Sequence, residues 1–129
     1  MPATSRALLY PRVVRELIRY DLLLACRGLR GVRPGHRKGD LSTRAGSVEV
    51  ESAVCEAVKA VAPFYWKPIR CLQRSMVTAR LMRDRGIPAE VVIGYRAAPF
   101  FSHAWVEVAG RVVNDSSTYQ KRLQVLERL

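Results

Sequence analysis

Three residues of this chain have the types that covalent acyl chemistry needs: Cys71, His103 and Asp115. Cys71 follows Pro68-Ile69-Arg70 and stands where a helical pattern begins. A helix N-terminus carries roughly half a positive charge and presents free N–H groups. It therefore favours a thiolate, and it can hold the oxyanion that forms when the thiolate attacks a carbonyl. A lone cysteine is more often a small buried hydrophobe, and Cys26 and Cys55, inside helical segments, are read that way. His103 opens one strand-like run and Asp115 closes the next. Each has an ordinary alternative: a half-buried histidine, and a member of an Asn-Asp-Ser-Ser turn. Taken in order, however, they are a nucleophile at a helix start, a base on a strand and an acid that fixes the base.

That constellation depends on a hairpin. Ser102–Val108 and Arg111–Asp115 read as two strands turning at Ala109-Gly110. With a three-residue loop, Val108-Ala109-Gly110, Glu107 pairs with Arg111 and Trp105 with Val113, and His103 lies directly opposite Asp115, their Cβ atoms about 5 Å apart. A two-residue loop pairs His103 with Ser116 instead and turns Asp115 to the other face. The three-residue register is the expectation, because it lets the carboxylate set the imidazole's tautomer.

The positioning elements come earlier in the chain. Pro11 to about Arg27 reads as a helix with Pro11 in its first turn, and Val13, Val14, Leu17, Ile18, Leu24 and Ala25 at helical spacing. Gly31–Gly46, with four glycines and His36, reads as a basic, solvated loop. A second helix starts near Ser47, with Val50, Ala53, Val54, Ala57, Val58 and Val61 as its stripe. Phe64-Tyr65-Trp66 is a short aromatic connection between Pro63 and Pro68, with Trp66 expected as a core anchor. The third helix runs from Cys71 to about Arg85. It buries Leu72, Ser75, Met76, Ala79 and Met82, leaves Gln73, Arg74, Arg80 and Arg83 mostly outside, and stops at Gly86 and Pro88. Ala89–Tyr95 is a strand with a bulge signal at Gly94, and the stretch from about Gln120 to Leu129 is a short helix or an edge segment. Helices first and antiparallel strands last make an α+β fold. The 129 residues fit one domain, with a helical and basic N-terminal region over 1–46 and a catalytic core over 47–129.

Composition narrows the function classes. No apolar run is long enough to span a bilayer, and arginines interrupt the N-terminus where a signal peptide would be apolar, so a cytoplasmic location without membrane contact is the default. Three widely spaced cysteines suit neither a disulfide framework nor a zinc site, and neither a phosphate-binding glycine loop nor HExxH is present, so no metal or cofactor is expected. The net charge of +11 draws nucleic acid, acidic peptides and acidic proteins alike. The arginines are spread over the first and third helices without a nucleic-acid-binding motif, so a basic nucleic-acid-binding module without catalysis is the alternative and not the expectation.

The runs Cys71-Leu72-Gln73-Arg74-Ser75, Arg85-Gly86-Ile87-Pro88-Ala89, Val91-Val92-Ile93-Gly94, Phe100 to Glu107 (FFSHAWVE) and Val112-Val113-Asn114-Asp115 closely resemble the transglutaminase-like leader peptidases of lasso-peptide biosynthesis. The resemblance covers about Arg70 to Asp115 in detail and the N-terminal helices in outline. It implies a papain-like Cys-His-Asp site on a transglutaminase-type core that cuts the leader from a ribosomally made precursor. By position, nucleophile, base and orienter fall on Cys71, His103 and Asp115. It further implies, for a chain without a winged-helix recognition domain, a separate leader-recognition protein as partner. The ATP-dependent macrocyclase of such pathways is a further candidate partner, and nothing in the resemblance calls for a cofactor. A transglutaminase-like acyltransferase or deamidase would use the same three residues. Of the remaining residues, Trp105 is expected to pack, Glu107 to pair with Arg111 across the strands, and Gln73 to face outward without a role.

Overall fold

In the computed structural model, residues 3–28, 47–115 and 118–129 are described; the basic loop with His36, and Ser116, lie outside them. The chain runs α1 (Ala3–Arg27), α2 (Ser47–Val61), a 3-10 turn (Ala62–Phe64), α3 (Cys71–Arg83), β1 (Ala89–Ala97), β2 (Phe100–Val108), β3 (Arg111–Val112), α4 (Thr118–Arg122) and β4 (Gln124–Arg128). The α+β reading holds, with helices followed by an antiparallel four-stranded sheet of order β3-β2-β1-β4.

The first three helices pack on one another, and α3 lies against β1 and β2. The stripe read on α2 is the one that packs: Ala53, Val54, Ala57 and Val58 are buried, with Val50 and Val61 partly so. On α1 the buried stripe is Leu9, Val13, Leu17 and Tyr20, whereas Val14 and Ile18 stay exposed. The helix also begins eight residues before Pro11, which sits inside it. Proline there removes one N–H, and Pro11 is on the exposed side, where water can satisfy the carbonyl left over. Cys26, expected to be buried, falls off the stripe and is exposed.

Successive strand residues point to opposite faces. Val106 and Val108 of β2, with Ala89 and Val91 of β1, join the helical core. Trp105 and Val92 point the other way and form a second cluster with Leu123, against which Val112 and Tyr119 pack. Trp105 is fully buried there, which is the packing role its sequence position suggested. Gly94 makes room for it: a Cβ at that position would lie 2.5 Å from Trp105 Cη2. The bulge signal at Gly94 is real, since the β1–β4 register shifts between Ile93 and Gly94.

Candidate active site

The candidate residues stand at the start of α3, on β2 and on the chain leaving β3. Arg70 is extended (φ −82°, ψ 163°) and offers no side-chain cap, so α3 begins sharply at Cys71. The first intrahelical bond is Arg74 N–H to Arg70 O (3.0 Å), leaving the N–H groups of the first turn without helical partners. Cys71 is half-buried at that terminus. Its neighbourhood includes α1: burial first, then the charges of Asp21 and Cys71, push the Tyr20 phenol up.

Residues 65–73 are tied to α1 through Asp21, which accepts from Tyr65 Oη and pairs with Lys67 Nζ at 2.5 Å. Burial raises the Asp21 carboxyl, but hydrogen bonds from Lys67, Tyr65 and Gln73 outweigh it and hold it below the usual carboxylate range. Gln73, expected outside, is buried and donates to Leu17 O (3.4 Å), because α1 crosses that face of α3. Arg74 and Arg80 are likewise half-buried with carboxylate partners, Asp115 and Glu16, and Arg83 donates to the Ala89 and Leu129 carbonyls. Trp66, expected in the core, is 77% exposed: polar anchoring of Tyr65 and Lys67 on Asp21 fixes this connection, and Trp66 is left turned outward.

The hairpin turns in two residues and not three. Ala109 (φ 52°) and Gly110 (φ 77°) are both left-handed, the pairing that matches the twist of the flanking strands. Val108 therefore pairs with Arg111 and Glu107 with Val112. One consequence corrects the expected Glu107–Arg111 pair. Arg111 shares the helical face with Val108 and reaches Glu51 at 3.3 Å. Glu107, buried on the other face, accepts from Trp105 Nε1 (3.0 Å) and Gln120 Nε2 (2.9 Å) and lies 3.5 Å from Arg128.

In that register the ladder, if continued, would carry Asp115 away from His103. It does not continue. Val113 N–H still donates to Val106 O (3.0 Å), but Val106 N–H donates to the side-chain Oδ1 of Asn114 (2.8 Å) and not to a β3 carbonyl. Asn114 Nδ2 meanwhile turns to Ser75 Oγ on α3 (3.4 Å). The side-chain substitution ends the strand and reverses the alternation, and Asp115 arrives beside His103 after all. His103 Nε2 and Asp115 Oδ2 are 2.7 Å apart. A carboxylate oxygen accepts, so the proton of this bond belongs to Nε2, leaving Nδ1 as the basic nitrogen. Arg74 Nη2 reaches the same Asp115 oxygen at 3.4 Å, which ties the pair to α3 one turn after Cys71.

Two further residues enclose the imidazole. The Tyr119 ring on α4 lies 4.0 Å from that of His103, and the Phe101 ring stacks 6.2 Å from both. Sequence reasoning missed Tyr119 and Arg74: the one lies on a five-residue helix without periodic signal, and the other was read as outward-facing. Cys55 is half-buried with its thiol pushed up to about 11 by burial, in keeping with a structural cysteine. Among the described residues no group of three His, Cys, Asp or Glu side chains is placed to hold a metal ion. No described helix is long and apolar enough to cross a membrane.

The family model of the transglutaminase-like superfamily matches residues 13–128. The chain belongs to this superfamily. Among curated proteins, the microcin J25-processing protein McjB of Escherichia coli is 42% identical over 59 residues, 46% of this chain and 28% of that protein. The transglutaminase-like chain thus aligns with less than a third of McjB's length. No solved structure matches it.

Proposed function

We propose that the chain is a cysteine endopeptidase that removes the leader from a ribosomally made lasso-peptide precursor in the cytoplasm. Cys71 is the nucleophile, His103 the base and Asp115 the residue that orients it. The observation that carries the reading is the 2.7 Å His103–Asp115 bond, anchored through Arg74 to the helix that Cys71 opens. The superfamily membership and the similarity to a microcin-processing protein support it.

In this mechanism His103 Nδ1 takes the Cys71 proton, and the thiolate attacks the scissile carbonyl carbon. The oxyanion is held by the open N–H groups at the start of α3. The imidazolium, steadied by Asp115 on Nε2, protonates the leaving amine. Water, deprotonated by His103, then releases the acyl group and restores the thiol. Leader recognition by a separate protein, with the ATP-dependent macrocyclase as the downstream partner, completes the proposal. The exposed side of α1, where Arg15 and Arg19 flank Ile18, suits such a contact.

The superfamily favours one second reading, transfer of the acyl group to an amine or deamidation of a side chain. Incubation with the precursor encoded beside the gene, with and without the neighbouring recognition protein, separates the two by mass spectrometry. Two fragments differing from the precursor by one water mark the peptidase, whereas an amine adduct or a one-dalton gain marks the other. Cleavage that persists in Cys71→Ala overturns the first reading, and an adduct or one-dalton gain that persists there overturns the second.

A further inference from the structure

Next to the His103–Asp115 pair, a cavity of about 410 Å3 opens among β1, β2 and α4, lined by Arg96, Phe101, Thr118, Tyr119, Arg122 and Leu123. Its size is that of a small-ligand or side-chain site. Its walls are aromatic and aliphatic, and it carries two guanidinium groups. The half-buried Arg74, Arg80 and Arg83 are committed: Arg74 to Asp115, Arg80 to Glu16, and Arg83 to two carbonyls. Arg96 and Arg122, exposed at the rim of this cavity, differ from these. Arg96 donates from Nε to Pro99 O (3.2 Å) and sits 5.6 Å over the Phe101 ring, which orients it and leaves its terminal nitrogens without a carboxylate among the described residues. Arg122 likewise meets no carboxylate among the described residues.

The cavity is continuous with the catalytic pair through its own lining. Tyr119 touches the His103 ring at 4.0 Å, and Phe101 stands 6.2 Å from both rings. Such ring-to-ring steps correspond to one or two residues of extended peptide at ~3.3 Å each. A guanidinium presents a planar fork that matches a carboxylate, and the apolar walls suit the short stem that carries one. We infer that this cavity is the subsite for an acidic side chain of the substrate, one or two residues from the scissile bond. The inference rests on the peptidase reading and adds to it a substrate class, peptides with Asp or Glu at one defined position.

The test uses synthetic twelve-residue peptides spanning the precursor's cleavage site, with Glu or Gln placed at each of three positions on either side. Wild-type protein is expected to cleave one Glu peptide about tenfold better in kcat/KM than its Gln twin. In R96Q/R122Q that preference falls to within twofold, and R122E alone prefers Lys at the same position. Thermal melts check that the variants fold, and R122E, at an exposed position, carries the test where the double variant does not. A Glu preference absent at every position, or undiminished in R96Q/R122Q and R122E, overturns the inference. In parallel, fluorescein-labelled copies are titrated against Cys71→Ala and followed by anisotropy. If wild-type protein cleaves neither these peptides nor the full precursor with the recognition protein present, the peptidase reading is what fails; the subsite then stands on tighter binding of one Glu copy than its Gln twin, weakened by R96Q/R122Q, and falls without it.

Discussion

Strand β2 has two faces that solve different problems. Val106 and Val108 point into the helical layer, where packing is apolar. Phe101, His103, Trp105 and Glu107 point the other way, where an imidazole, an indole N–H and a buried carboxylate are each satisfied by a named polar partner. On the first face a side chain contributes through the volume it fills. On the second it contributes through a particular bond, and truncation there separates activity from stability.

The sharpest test of that contrast is to truncate neighbours on opposite faces. His103→Ala is expected to lower turnover of the precursor at least about 10⁴-fold while the melting temperature barely moves. Val106→Ala should cost roughly 2–3 kcal/mol of stability through lost burial and a cavity, with turnover per folded molecule nearly unchanged. Equal losses of stability from both substitutions would erase the distinction between the faces.

A milder break is Asp115→Asn. The amide can donate to the imidazole and hold the wrong tautomer, and it offers no charge to the imidazolium, so kcat should fall on the order of 10- to 10³-fold. A thiol gives up its proton more readily than a serine hydroxyl does, which softens the loss relative to a serine enzyme. Wild-type turnover in Asp115→Asn would reduce the machinery to Cys71 and His103.

Alkaline titration probes the helical side. Burial raises Cys55 to about 11, while its Sγ lies 3.5 Å from Val113 O. The folded thiol therefore keeps its proton after the unfolded one has lost it near 9, so the stability linked to this group is full below about pH 9 and disappears as pH rises through 11. The loss is on the order of 2–3 kcal/mol, from two pH units at ~1.4 kcal/mol each. Urea melts of wild type and Cys55→Ala between pH 8 and 11 should show the wild type losing more; parallel curves would refute a buried thiol. Iodoacetamide at pH 8 should likewise modify Cys71 first, exposed Cys26 more slowly and Cys55 least.

The smallest effect is expected from Glu107→Gln. The amide oxygen can still accept from Trp105 Nε1, so the loss is confined to Gln120 and the charge facing Arg128, roughly 1–2 kcal/mol. A loss as large as that of Val106→Ala would mean that the polar face carries the fold as much as the apolar one does.

What could be read in the residues was whatever local periodicity or turn chemistry controls. The α2 stripe, the start of α3 at Cys71 and the Gly94 bulge were legible for that reason. Gln73, Trp66 and the true buried stripe of α1 were not, because each depends on which neighbour crosses which face. The His103–Asp115 contact was anticipated through a register that does not occur. Two consecutive left-handed residues shorten the turn, and the Asn114 side chain then undoes the effect of the shift. Nothing in local propensity announces that an amide will stand in for a ladder carbonyl.

The close approach of Gly94 to Trp105 reaches beyond this one molecule. With Cη2 only 2.5 Å from where a Cβ would stand, and Leu123 Cβ at 2.9 Å, the three positions share one fixed volume. Relatives that drift to alanine or serine at the first position are expected to carry a smaller ring or an aliphatic side chain at the second. Divergence there would proceed by paired exchanges, and a chimera that grafts one partner without the other would inherit a clash that neither parent has.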